Sequence, residues 1–195
     1  MKILENIPDK REDKNTTSLK FKKDVFEFFD PLALYNCIEI GTSYGYSTRL
    51  LSYIFDKVTT IDIKIENIQK AIEFNSNRDN ISYLHGNSTD SDWSIDEKFN
   101  VSFIDADHSY KAVMQDIKQS IKYGTDDMFI IFDDYGLPEA RPCVKVAVDE
   151  MINNGTLSLV KYIGEPEGNE PRLGRKLIDW EGVICQINNK ENSEA

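Results

Sequence analysis

The chain has 195 residues, 40% of them apolar, with 23 basic against 34 acidic side chains, a net charge of −11 and a pI near 4.7. That length suits one domain with a full core. The charge speaks against a nucleic-acid backbone as partner, and no apolar run reaches the roughly 18 residues of a membrane-spanning helix. Cys37, Cys143 and Cys185 are too widely spaced for a zinc motif or a disulfide scaffold. With the charged opening MKILENIPDKREDK, they predict a cytoplasmic protein without a leader or membrane anchor.

The polar stretches 1–15 and 188–195 read as flexible ends of a single domain spanning 1–195. A first helix is expected within 16–30, where Phe21, Val25 and Phe28 recur at helical spacing and Asp30-Pro31 closes the segment. YNCIEIG (35–41) predicts a strand, then a helix over 47–55, the strand KVTTIDI (57–63) and a helix over 66–77. ISYLH (81–85) and NVSFIDAD (100–107) are the next strands, and Val113, Ile117 and Ile121 mark a helix over 109–122. MFIIF (128–132) predicts a buried strand, and Val144, Val148, Met151 and Ile152 a helix over 142–153. Two strands close the chain, 157–163 and 182–187, joined by the Gly/Pro-rich loop 164–176. Repeated strand–helix alternation predicts an α/β fold: a doubly wound, mostly parallel seven-stranded sheet with helices on both faces. The last two strands lack an intervening helix, so they should form an antiparallel edge.

In such sheets ligands bind at the carboxyl ends of the strands, near the point where strand order reverses. The first strand there runs into EIGTSYGYST (39–48), in which Gly41 and Gly45 allow a tight turn close to a ligand. The following helix presents free N–H groups to it. Asp62 comes about twenty residues after Gly41, within reach of a ribose diol. A dinucleotide fingerprint would need glycine where Ser43 and Tyr46 stand, and GxxxxGK[ST] is absent. A ribose-bearing ligand without a pyrophosphate fits best. Further along, Asp105 and Asp133 end two buried strands. Neighbouring strands lie about 4.8 Å apart, so these carboxylates could share an ion, joined by Asp134 if the chain bends on leaving the sheet. Close like charges require a cation or raised pKa values, and an oxygen-only set suits Mg²⁺, Mn²⁺ or Ca²⁺. The bland alternative makes Asp107 a helix cap and Asp133-Asp134 turn acids.

EIGTSYGYST resembles the first motif of class I S-adenosylmethionine-dependent methyltransferases, especially the metal-dependent catechol-type and caffeoyl-type O-methyltransferases. The resemblance covers roughly 35–150 and includes Asp62, Gly86-Asn87-Ser88, FIDADHSY (103–110) and IIFDDYG (130–136). It implies the Rossmann-like methyltransferase fold and S-adenosyl-L-methionine as cofactor. Gly41, Ser43 and Ser47 would cradle the methionine end, with Gly45 in the same cofactor-binding loop and Glu39 on the amino group, directly or through water. Asp62 and its neighbour Ile63 would meet the ribose, Asn87 and Ser88 the adenine, and Asp105 would adjoin the cofactor. The same resemblance puts a divalent metal, Mg or Mn, on Asp105, Asp133 and Asp134, although the family often has Asn at the Asp134 position. Relatives carry a lysine base three residues after the first metal Asp; here that position is His108. Imidazole, with an ordinary pKa near 6.5, can take a hydroxyl proton at neutral pH. Its alternative is a hydrogen-bonding role at a helix start.

The implied activity is O-methylation of a hydroxyl on a sugar or other small-molecule diol, with His108 and Asp105 as the catalytic residues. The DxDHxY and FDDY patterns lean toward the sugar branch. Two alternatives keep the same fold: cephalosporin-hydroxylase-like chemistry on the same cofactor site, and a non-catalytic binding module. Missing glycines disfavour an NAD-dependent oxidoreductase. Arg172, Arg175 and Lys176 make loop 164–176 either a substrate lid or a solvated hairpin tip. Small-molecule or glycan acceptors, not nucleic acid or membrane, are the expected partners, and homo-oligomerisation is open.

Overall fold

The computed structural model describes residues 2–90, 93, 95–138, 143–172 and 174–188; most of the expected flexible tail and the first expected residue of the 142–153 helix lie outside them. In chain order the elements are α1 (Leu19–Phe29), β1 (Asn36–Ile40), α2 (Tyr46–Ile54), β2 (Lys57–Asp62), α3 (Ile65–Phe74), β3 (Ile81–His85), β4 (Phe99–Ile104), α4 (Tyr110–Tyr123), β5 (Gly124–Phe132), α5 (Val144–Asn153), β6 (Leu157–Ile163) and β7 (Gly182–Ile187). The strands form one seven-stranded sheet in the order β3-β2-β1-β4-β5-β7-β6. β1 to β5 pair in parallel, and β7 runs antiparallel to both β5 and β6. The final two strands thus form the expected antiparallel edge, with β7 as the reversed strand and β6 outermost.

Strands buried on both faces read as continuous apolar runs. In β1, Cys37 points into one core and Ile38 and Ile40 into the other. The first core lies under α1 and α2, where Phe21, Val25, Phe29, Leu50 and Leu51 meet Val101 and Phe103 of β4. The second lies under α4 and α5, with Val113, Ile117, Val144 and Val148 against Ile130 and Phe132 of β5. Helix α1 starts where it does because Ser18 Oγ accepts the Phe21 N–H at 3.0 Å, an N-cap. The three cysteines are free and buried. Among the described residues, no helix is long and apolar enough to cross a membrane.

Two expectations are corrected. β5 begins at Gly124, not at residue 128, because Thr125-Asp126-Asp127 continues the strand without apolar alternation beyond a register shift between Phe99 and Val101. More consequential is the amino-terminal segment, expected to be flexible over 1–15. Ile7 is 4% exposed and packs into the core beneath α1, and Lys10 is 1% exposed. A lysine reads as solvated in sequence because its partners lie far along the chain.

Candidate active site

The strand order reverses between β1 and β4, and the cleft opens there, with a volume of about 1280 Å³. Gly41 adopts φ +102, and a Cβ on it would lie 2.0 Å from the Asp105 carbonyl oxygen. Only glycine lets the β1–α2 loop cross this closely over the end of β4. Asp62, at the end of β2, is fixed from three sides: Oδ2 accepts from the Ser43 N–H at 2.9 Å and Asn67 Nδ2 at 3.0 Å, and Oδ1 from the Lys64 N–H at 2.8 Å. A carboxylate accepts at about four sites, so Asp62 retains capacity for an incoming hydroxyl. The turn after β3 is braced by Trp93, whose Nε1 donates to the Ser88 carbonyl at 2.8 Å while its ring stacks on Tyr123.

Of the residues expected around a cofactor, Gly41, Ser43, Asp62, Ile63, Asn87, Ser88 and Asp105 line this cleft. Glu39, Gly45 and Ser47 do not. Glu39 is buried behind the loop, where Oε2 accepts from Thr48 Oγ1 at 2.5 Å and Thr60 Oγ1 at 2.6 Å. Burial pushes its pKa up to about 8 against those two hydrogen bonds. Gly45 shapes the start of α2 at φ +77, and Ser47 lies on the side of α2 facing Thr17 and Phe21. His85 is exposed, with Nε2 3.1 Å from the Ile63 carbonyl oxygen.

At the ends of β4 and β5 lies the acid corner. Asp134 takes φ +56, the bend that lets two consecutive acids act at one place. Its carboxylate is encircled: Lys10 Nζ donates to Oδ1 at 2.7 Å, while Arg172 Nη2 at 3.0 Å and His108 Nε2 at 3.2 Å both approach Oδ2. Lys10 Nζ also reaches Asp133 Oδ2 at 3.0 Å and Glu181 Oε1 at 3.7 Å. Burial opposes charge on Asp134, but Lys10, Arg172 and His108 hold its pKa below the usual carboxylate range. Burial and the Asp134 charge push Asp133 well above that range, and its Oδ1 has no hydrogen-bond partner. His108 stands 3.9 Å from Asp105 Oδ1. Burial would lower its pKa, but Asp105 and Asp134 overcome that and raise it to about 9. The ring is therefore an imidazolium at neutral pH, a correction to the expectation of a base already free at pH 7. Asp107 accepts the Ser109 N–H at 2.8 Å, so it braces the residue that caps α4 instead of capping the helix itself, and it also faces the cleft.

Of the three acids expected to hold a divalent ion, Asp134 has no oxygen left for one: both already receive cationic donors, and Asp133 gives its Oδ2 to Lys10 while its Oδ1 stays unpartnered. The residues whose ligand atoms do gather, within 4.8 Å, are Asp105, His108 and Asp134. There a metal would have to displace Arg172 and strip a proton from a ring whose pKa is raised. Lys10, Glu181 and Trp93 carry no local motif, which is why sequence reasoning missed them. Arg172, noted only as part of a basic loop, turns inward to Asp134 and lines the cleft.

A family model described as a methyltransferase domain matches residues 38–135. No curated protein sequence matches the chain. Among solved structures, an O-methyltransferase from Bacillus cereus in complex with SAH aligns with TM-score 0.69 at 18% identity, covering 96% of this chain and 89% of that one. An O-methyltransferase from Streptomyces achromogenes involved in tomaymycin synthesis, in complex with SAM, aligns with TM-score 0.66 at 11% identity, over 91% of this chain and 83% of its own. An N-methyltransferase from Bradyrhizobium japonicum in complex with SAH gives 0.65 at 14% identity, over 87% and 86%. Likeness at these identities concerns the fold, and the fold serves both oxygen and nitrogen acceptors.

Proposed function

Because the chain belongs to the methyltransferase-domain family, we propose that it is an S-adenosylmethionine-dependent O-methyltransferase acting on a hydroxyl of a small polar acceptor, a sugar or another diol. One observation carries the reading: Asp105 lines the cleft, and His108 approaches both it and Asp134, which sets a titratable ring directly behind the cleft wall. An amine needs no strong base to become nucleophilic, whereas a hydroxyl must lose its proton as it reacts. The cleft fits the cofactor, with Asp62 for the ribose hydroxyls, Asn87 and Ser88 beside the adenine, and Gly41 and Ser43 where a backbone must come close. When bound, S-adenosylmethionine supplies an already activated methyl group.

The protein's part is alignment and proton handling. His108, once neutral, accepts the hydroxyl proton; Asp105 and Asp134 stabilise the imidazolium this creates, the same interaction that raises its pKa. Arg172, together with Lys14 and Asn15 of the amino-terminal segment, lines the cleft and offers donors to a polyhydroxyl acceptor. The net charge of −11 and the three buried free thiols support a small-molecule acceptor and a cytoplasmic setting.

Calorimetry with S-adenosylmethionine, followed by labelled-methyl transfer to a panel of sugars, catechols and amines, tests the proposal. Cofactor binding with methylation of a hydroxyl is the expected result. Transfer to amines alone would overturn the oxygen reading, and binding without any transfer would favour a binding module.

A further inference from the structure

The acid corner carries its own cation. Lys10 is brought in by a segment that is pinned along its length. Arg11 pairs with Glu165 at 2.9 Å, and Lys22 Nζ bonds the carbonyl oxygens of Pro8 and Thr17. Glu181 accepts the Ser18 N–H at 3.0 Å and its hydroxyl at 2.5 Å. Lys10 Nζ is thereby delivered, fully enclosed, between Asp134 Oδ1 at 2.7 Å and Asp133 Oδ2 at 3.0 Å, with Glu181 at 3.7 Å.

A divalent ion of the Mg²⁺ class needs carboxylate oxygens at about 2.1 Å. At Asp134 the ammonium already holds Oδ1, and Arg172 and His108 share Oδ2. We propose that Lys10 is the resident cation of this site, holding Asp133 and Asp134 in place as a positioning residue where a divalent ion would otherwise be required, so that the enzyme works without a metal. The placement of Arg172 and His108 follows from it. Both lean on the Oδ2 of an Asp134 whose Oδ1 Lys10 holds from the buried side, and Arg172 lines the cleft. The proposal relies on the methyl-transfer reading only for what the corner is used for, not for which cation fills it.

Mn²⁺ titration followed by electron paramagnetic resonance separates the two questions, because it reads metal occupancy with no substrate present. Wild-type protein should leave the signal of free Mn²⁺ undiminished at stoichiometric concentrations. Stoichiometric binding that Asp134→Asn abolishes would overturn the proposal. Lys10→Met, which keeps the aliphatic stem and removes the charge, should gain one Mn²⁺ and be raised in melting temperature by it, with both effects lost when Asp134→Asn is added. A folded Lys10→Met protein that binds no Mn²⁺ would overturn the role given to Lys10; if that variant fails to fold, the wild-type titration alone decides. Calorimetry with S-adenosylmethionine on the same samples reports on the cofactor reading separately. Once an acceptor is found, wild-type turnover should be unchanged in excess EDTA, and a rate abolished by EDTA and restored by Mg²⁺ or Mn²⁺ would count against Lys10.

Discussion

Along the carboxyl edge of the sheet, two acids are held by different means. Asp62, on the β1–β2–β3 side, is fixed by neutral donors from residues 43, 64 and 67, all on the two loops and the helix beside it. Asp134, at the β4–β5 corner, is fixed by charged donors from residues 10, 108 and 172, which reach it from an amino-terminal segment, the approach to α4 and a loop between β6 and β7. The first arrangement leaves an acid that can still accept a hydroxyl. The second leaves an acid whose two oxygens are taken up by three cationic side chains. Acids that look alike in sequence therefore divide into a ligand-facing group and an electrostatic anchor.

Five measurements test that contrast, in decreasing size of the expected effect. Lys10→Ala leaves Asp133 Oδ2 and Asp134 Oδ1 without their ammonium in a buried site, and removing one partner of such a pair costs about 3–5 kcal/mol. Urea unfolding should show that loss, and one below about 1 kcal/mol would mean the corner is solvated. His108→Ala should lower kcat by about 10²–10⁴ while cofactor affinity holds. A near-normal rate would reduce His108 to a hydrogen-bonder at the start of α4. Asp62→Ala should weaken S-adenosylmethionine binding by about 1.5–3 kcal/mol, the range for hydrogen bonds to a charged group, with unchanged affinity refuting the ribose role.

The fourth measurement is a pH profile. His108 must shed its proton before it can accept another, and its pKa is raised to about 9. kcat/KM should therefore climb by up to about tenfold per pH unit and level off near that pKa; a profile flat from neutral pH upward would point to another base. The fifth and smallest concerns Glu39, whose pKa rises from 4.5 to about 8 on folding. More protons are bound in the folded state, so the wild type should lose stability as pH climbs from about 4.5 to 8. Glu39→Gln should change stability at pH 5 by less than about 1 kcal/mol and make that fall shallower, leaving the part contributed by the raised Asp133 and His108. An unchanged slope in the variant would assign the whole of it to those other groups.

The amino-acid order alone carried the alternation of strands and helices, the antiparallel final pair and several residues of the cleft's lining. Those features depend on neighbours: apolar period, the glycines of EIGTSYGYST, and an acid at a fixed distance from them. Gly41, Ser43, Asp62, Asn87 and Ser88 were legible because each stands at the end of a strand whose own pattern places it. The acids of the corner were legible for the same reason, but their charge balance was not. Lys10 lies 123 residues from Asp133 and 124 from Asp134, and Arg172 lies 38 from Asp134. No local rule distinguishes a lysine that will be enclosed from one that stays in water. Only the tertiary structure decided that, because the field at a buried carboxylate is set by whatever charges the fold brings within a few ångströms, and the chain's order carries no record of those distances.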